Sequence, residues 1–173
     1  MDPFVELLKL ILPAVVVFLT SFYLVKNFLD NESKKRLLEL KIAGRELITP
    51  IRLQAYERVI LFLERISTYS MVMRVNKQTF TSRQLHAELI ATIRQEFEHN
   101  LSQQIYMSNM AWEMVKNAKE EMVQLVNLAA MKIPENAPSS ELAQFLIENS
   151  SKIKVLPTSL AIDFIKKEIG QNF

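Results

Sequence analysis

Residues 4–25 read FVELLKLILPAVVVFLTSFYLV, and the part from Leu10 to Val25 carries no charge. A helix of this segment is about 33 Å long at about 1.5 Å per residue, enough to cross a hydrocarbon core of about 30 Å. Pro13 is compatible with such a helix, because transmembrane helices tolerate proline. We therefore predict a transmembrane anchor over residues 1–26, with the lipid bilayer as its partner. Its representative side chains are Phe4, Leu10, Pro13, Val16, Phe18, Phe22 and Val25.

Two charged residues, Glu6 and Lys9, lie near the outer end of this segment. They are three residues apart, so they can pair or reach toward the headgroups. The Leu, Ile, Val and Phe residues between Leu10 and Val25 contribute about −3 to −7 kcal/mol, more than one carboxylate at the edge costs. A cleaved signal peptide needs a basic start and a small-residue cleavage site, and this segment has neither.

The orientation of the anchor is predicted from the basic residues that follow it. Lys26, Lys34, Lys35 and Arg36 lie just after the segment, whereas only the α-amino group precedes Glu6. Because the positive side of a span stays in the cytoplasm, we expect the N-terminus outside and the C-terminal domain in the cytoplasm. An alternative interpretation of residues 34–36 is contact with anionic lipid headgroups.

The composition favours an all-α chain and excludes several kinds of site. There are two glycines and no cysteine, so the sequence has no phosphate-binding glycine loop, disulfide or thiolate metal site. The net charge of +2 is too small to indicate nucleic acid as a partner. The sequence also contains no dinucleotide fingerprint and no G-x-S-x-G motif. We therefore expect no cofactor and no small-molecule substrate, and predict that the protein is not an enzyme.

The remaining chain is predicted to form a helical stalk, residues 27–48, and a soluble domain, residues 49–173, that is a compact bundle of about five helices. Thr49 and Pro50 resemble the start of a helix that runs to about Thr68. The segment from Met71 to Thr79 is predicted to be a loop. Further helices are expected from Thr81 or Ser82 to about Asn100, over 109–132, over 139–149 and over 158–170.

The periodicity of apolar residues predicts which faces are buried. The first helix of the domain places Leu53, Tyr56, Ile60, Leu63 and Ile66 on one face. The second places Leu85, Leu89, Ile93, Phe97 and Leu101 together, and the third Ala111, Val115, Ala118, Met122, Leu125 and Ala129.

Glu96 and His99 form the one pair with metal-ligand spacing. Carboxylate-bridged di-iron bundles use E-x-x-H twice, with further carboxylates from facing helices. This chain has only one other histidine, His86, and no second E-x-x-H. The pair is more typical of a solvated helix face, and a metal-dependent enzyme built on Glu96 and His99 is the alternative functional hypothesis.

A cluster of methionines surrounds the single tryptophan. Met107, Met110 and Met114 lie within a few residues of Trp112. Packing in the core is one interpretation, since methionine fills irregular gaps. The other is an adaptable groove that binds a partner helix.

Four stretches together resemble a known family: LQAYERVILFLERIS at 53–67, EFEHNLSQQIYMS at 96–108, AWEMVKNAKEEM at 111–122 and LPTSLAIDFIKKEI at 156–169. The chain is similar over nearly its whole length to uncharacterised small membrane-anchored proteins of Bacteroidota with a domain of unknown function. The resemblance implies an anchored helical protein of a bacterial inner membrane, and no catalytic residues. From the single anchor, the helical domain and the lack of a catalytic motif, we predict a single-pass adaptor or accessory subunit that binds other membrane or cytoplasmic proteins.

Overall fold

A computed structural model describes the backbone of residues 3–172 and the side chains of residues 11–40, 42–44 and 46–171. The elements in chain order are α1 (Pro3–Arg65), α2 (Thr68–Val75), α3 (Ser82–Asn100), a 3₁₀ helix (Leu101–Tyr106), α4 (Asn109–Ala130), α5 (Ser139–Lys152) and α6 (Pro157–Asn172). No strand is present between residues 3 and 172, which confirms the predicted all-α class.

The chain divides into two compact units between Ile48 and Thr49. The first unit contains one helical segment, the part of α1 up to Ile48. The second unit contains the remainder of α1 together with α2 to α6. The narrower division of the first unit into an anchor and a stalk at residue 26 stays a prediction.

The first unit has an apolar N-terminal part whose side chains are exposed. From Ile11 to Val25 every described side chain is exposed, and Phe18 reaches 68 %. Within the described chain, this is one helix that is long and apolar enough to cross a membrane. Thr20 donates its hydroxyl hydrogen to the carbonyl oxygen of Val16, which satisfies this polar side chain within the helix. The side chains of Phe4, Glu6, Lys9 and Leu10 lie outside the described side chains.

The predicted helix start at Thr49 and Pro50 is wrong, because α1 is helical through both residues. A proline inside a helix loses one backbone hydrogen bond and crowds the preceding turn. Here the residues on both sides of Pro50 are helical and belong to the same helix, so Pro50 does not begin a new one. A threonine followed by proline indicates a helix start only where the preceding residues are not already helical.

The predicted loop from Met71 to Thr79 is also partly wrong, since α2 covers Thr68–Val75. Thr68, Met71 and Val72 are buried and Val75 packs against the core, a spacing that belongs to one face of a helix. Only residues 76–81 connect α2 to α3 without helix. The β-branched residues around Arg74 favour an extended segment locally, and burial of the helical face overrides that preference.

The start of α3 is fixed by a capping box. The Thr81 hydroxyl accepts a hydrogen bond from the Gln84 backbone at 3.3 Å, and the Gln84 side chain accepts one from the Thr81 backbone at 2.9 Å. The backbone of Ser82 donates to Ala137, and that of Ser139 donates to Phe80. These two bonds hold the starts of α3 and α5 side by side.

The core of the second unit is built from one face of each helix. The buried positions on α1 and directly after it include Tyr56, Val59, Phe62, Leu63 and Ile66. The face is turned from the predicted one, because Leu53 is exposed and Ile60 is half-buried. On α3, Leu85, Leu89 and Ile93 are fully buried as predicted, whereas Leu101 is exposed. The predicted face of α4 is buried except for Leu125, which is half-buried. The neighbouring residue Val126 is fully buried instead.

Candidate functional site

An apolar groove lies on the second unit between α4, α5 and the segment that joins α5 to α6. Its volume is about 610 Å³. Leu125, Leu128 and Ala129 line it from α4, because they are spaced by three and four residues and therefore share one face. Phe145 and Leu146 line it from α5.

Several apolar side chains of the groove remain in contact with water. Leu128 is 63 % exposed, and Ile153 and Val155, in the segment after α5, are also exposed. Scattered exposed leucines are ordinary on protein surfaces, whereas apolar side chains gathered around a concavity are typical of a binding site.

The two ends of the groove carry opposite charges. Glu121 lies toward one end and Lys132 toward the other, both among the lining residues. They are separated by about three helical turns, or about 16 Å. A helix that lies in the groove with its N-terminus at Glu121 and its C-terminus at Lys132 has its dipole matched to these charges.

The methionine and tryptophan cluster is split between the core and the surface. Met107 and Trp112 are buried, and Met114 is half-buried against the core. The Trp112 ring stacks on Phe97 at a centroid distance of 5.5 Å. Only Met110 is exposed, at 67 %. In this structure the cluster mainly supports packing, and it does not line the apolar groove.

The Glu96 carboxylate is bound by two arginines, Arg65 and Arg74. Its Oε1 atom accepts from Arg65 Nη2 at 2.6 Å and Nε at 2.7 Å, and from Arg74 Nη2 at 3.3 Å. His99 lies one turn further along the same cleft. Within the described residues, no group of three or more histidine, aspartate and glutamate side chains is placed to hold a metal. Two guanidinium groups beside the carboxylate disfavour a cation there.

The predicted topology residues Lys26, Lys34, Lys35 and Arg36 are all exposed on α1. Arg36 donates to the Glu32 carboxylate at 3.2 Å, one turn earlier. A pair as exposed as this leaves the positive character of the segment largely intact.

A buried carboxylate, Glu168, joins three helices and was not predicted from the sequence. It is only 9 % exposed and accepts hydrogen bonds from the Tyr56 hydroxyl, the Ser108 hydroxyl and the Ser108 backbone. Arg52 lies beside this group, 3.5 Å from the Tyr56 oxygen, and donates to the Tyr106 carbonyl. We call Arg52, Tyr56, Ser108 and Glu168 the Glu168 junction.

The contacts within the Glu168 junction lower the pKa of Glu168 and raise the pKa of Tyr56. Burial raises the pKa of Glu168, but the hydrogen bonds from Ser108 and Tyr56 and the charge of Arg52 outweigh it, so the pKa lies below its usual 4.5. Burial and the neighbouring carboxylate raise the pKa of Tyr56 above 10.0. The signal in the sequence was a glutamate three residues after Ile165, on the apolar face of α6.

Ser108 has a second role, because it is also the N-cap of α4. Its hydroxyl oxygen accepts from the Ala111 backbone at 3.0 Å while donating to Glu168. The carboxylate therefore lies at the positive end of the α4 dipole, which favours its charged form.

A model of the family of unknown function DUF7935 matches residues 2–172 of the chain. Neither a curated protein nor a solved structure matches it.

Proposed function

The chain belongs to DUF7935, a family of unknown function, and we propose that it is a non-enzymatic interaction protein that anchors a helical domain to a membrane and binds a partner protein through the apolar groove. The partner we infer is an amphipathic helix of another membrane or cytoplasmic protein. This makes the chain an adaptor or accessory subunit of a membrane assembly.

The observation that carries the proposal is the exposed apolar surface of the groove. Leu128, Ile153 and Val155 keep apolar area in water that a partner would bury, at about 25 cal/mol per Å². The shape suits a helix, because the lining residues run along two helices rather than around a closed cavity. The charges of Glu121 and Lys132 favour one direction of that helix over the other.

The location we propose is the cytoplasmic membrane of a bacterium, with one span and the domain in the cytoplasm. Support comes from the length and apolar composition of α1 before Val25 and from the basic residues after it. Translocating a folded domain of this size against the charge bias would be unfavourable, since each basic residue near the anionic leaflet is favoured by about 1 kcal/mol. The resemblance to membrane-anchored proteins of Bacteroidota agrees with this location.

Site-specific photocrosslinking in native membranes tests the groove. A photoreactive amino acid is placed at Leu128, and separately at Tyr69 on α2 as a control. The two positions are matched, since their side chains are 63 % and 64 % exposed. We expect one discrete protein adduct from position 128 and none from position 69, because only the first lies in the groove.

A second substitution makes the test specific. Phe145→Asp places a charge in the groove and should abolish the adduct at position 128, while the fold is monitored through Trp112 fluorescence. Adducts of equal yield at positions 128 and 69, or an adduct at 128 that Phe145→Asp leaves unchanged in a folded protein, would contradict the proposal. Recovery of the protein alone from membranes at every detergent strength would do so as well.

A further inference from the structure

A second cleft, separate from the apolar groove, lies between α1 and α3. Its volume is about 570 Å³. Arg58, Phe62 and Arg65 line it from α1, at spacings of four and three residues, so they share one face. Thr92, Gln95, Glu96, His99 and Asn100 line it from α3 at the equivalent spacings. The cleft is open to solvent, and its lining combines the apolar side chains of Leu61 and Phe62 with polar and charged ones.

The charges at this cleft are strongly unbalanced. Arg58 and Arg65 line it, and Arg74 of α2 reaches the same Glu96 oxygen as Arg65. Among the residues that line the cleft, two guanidinium groups face one carboxylate, which gives a formal charge of +1. Arg74 adds a third guanidinium group beside Glu96, so the surroundings of the cleft favour an anion.

The role of Glu96 explains how the cleft is organised. One of its oxygens accepts all three of the bonds from Arg65 and Arg74. Arg74 also donates to the Arg65 backbone carbonyl at 3.3 Å, which fixes it against the end of α1. A phosphate that binds Arg65 therefore competes with the Glu96 carboxylate for the donors of this arginine.

We propose that this cleft binds a phosphate group, with Arg58 and Arg65 as its charged contacts and Gln95, His99 and Thr92 as further hydrogen-bond donors. A phosphate monoester carries about −1.5 to −2 charges at pH 7, which matches the cleft better than a carboxylate does. Arginine also presents its donors as a planar fork that suits phosphate oxygens. Either a lipid headgroup or a soluble phosphate ester supplies this chemistry.

The experiment uses the full chain in nanodiscs of phosphatidylcholine, with inorganic phosphate as the probe. Binding is followed by NMR of the arginine Nε–Hε signals at constant ionic strength. We expect a saturable shift of Arg58 and Arg65, and weaker binding of acetate. In a second arm, phosphatidic acid is added to the nanodisc. A shift of the same signals without added phosphate identifies the lipid source, and a shift that needs added phosphate identifies the soluble one.

Three variants make the assignment specific. Arg58→Gln should weaken phosphate binding about tenfold, as for one hydrogen bond between charged groups. Arg94→Gln is the control, because this exposed arginine is on α3 but does not line the cleft, and it should change affinity less than about twofold. Glu96→Gln should tighten binding, since it removes the one negative charge facing the ligand.

The proposal is overturned by the absence of any saturable shift in both arms. It is also overturned if Arg94→Gln weakens binding as much as Arg58→Gln does, because the interaction would then be general attraction to a positive protein. Weaker binding in a folded Glu96→Gln protein has the same consequence. None of these residues lines the apolar groove, so failure here leaves the crosslinking result unaffected.

Discussion

Replacing Glu168 with glutamine removes the charge from the Glu168 junction while keeping the size of the side chain. The carboxylate accepts three hydrogen bonds, from the Tyr56 hydroxyl and from the hydroxyl and backbone of Ser108. A hydrogen bond to a charged group contributes about 1.5–3 kcal/mol and a neutral one about 0.5–1.5. Losing the charge thus costs about 1 kcal/mol per bond.

The total of about 3 kcal/mol is reduced because glutamine no longer carries a buried charge that must be desolvated. We therefore expect the free energy of unfolding to fall by about 2 kcal/mol at pH 7. The assay is urea unfolding of the full chain in a nonionic detergent, followed by fluorescence. Trp112 is the single tryptophan and is only 7 % exposed, so the signal reports on the second unit alone. A midpoint shift of about 1 M is expected for a domain of this size.

The pH dependence separates the charge from any packing effect. The pKa of Glu168 is lower in the folded protein than its usual 4.5, so the unfolded chain binds more protons between these two values. The stability that Glu168 contributes is therefore complete above about pH 4.5 and is lost as the pH falls through the folded pKa. Wild type and Glu168→Gln should converge in stability over that range.

Glu98→Gln is the matched control, because Glu98 is exposed on α3 and its loss should change stability by less than about 0.5 kcal/mol. Equal stability of Glu168→Gln and Glu98→Gln at pH 7 would refute the reasoning. So would a difference between wild type and Glu168→Gln that grows as the pH is lowered.

Three other predictions concern the junction, a helix cap and the membrane. Because burial and the adjacent carboxylate raise the pKa of Tyr56, its stabilising contribution is complete below pH 10.0 and is lost as the pH rises through the folded pKa. Between pH 8 and pH 11, urea titrations should show a smaller loss of unfolding free energy in Tyr56→Phe than in the exposed control Tyr69→Phe. Equal losses in the two variants would contradict this. Thr81→Ala should lower the free energy of unfolding by about 1 kcal/mol through loss of the capping box, with Thr79→Ala near neutral, and identical midpoints would exclude a stabilising cap. A reporter active only in the cytoplasm should work when fused after Phe173, and protease added outside spheroplasts should leave the domain uncut; cleavage from outside would reverse the orientation.

Much of the fold follows from the spacing of apolar residues. Leu85, Leu89 and Ile93 are buried where their period places them, and α4 begins at Asn109, where the sequence predicts its start. These features can be predicted because helix periodicity and capping are local properties of the chain. The start at Pro50 fails because whether a proline begins a helix or lies within one depends on the stability of the helix that precedes it.

The sites were harder to predict, because they depend on contacts between distant residues. The spacing of Glu96 and His99 correctly predicts that the two residues share one face of a helix. That spacing does not reveal that Arg65 and Arg74, on two other helices, contact Glu96. The apolar groove needs residues of α4, of α5 and of the segment after α5, which only tertiary packing brings together. Glu168 was detectable only as a carboxylate within an apolar stripe, and its partners Tyr56 and Ser108 are 112 and 60 residues away.

That separation has a consequence for biosynthesis. Tyr56 is translated early, but its buried hydrogen-bond acceptor belongs to α6 and is translated 112 residues later. While the ribosome is producing α2 to α5, the Tyr56 hydroxyl lacks its acceptor and the N-terminus of α4 lacks the carboxylate that its dipole favours. The buried hydrogen bonds of the core are therefore complete only once α6 has been synthesised. A nascent chain that is stalled earlier would be recognisable to chaperones and proteases by this incomplete core.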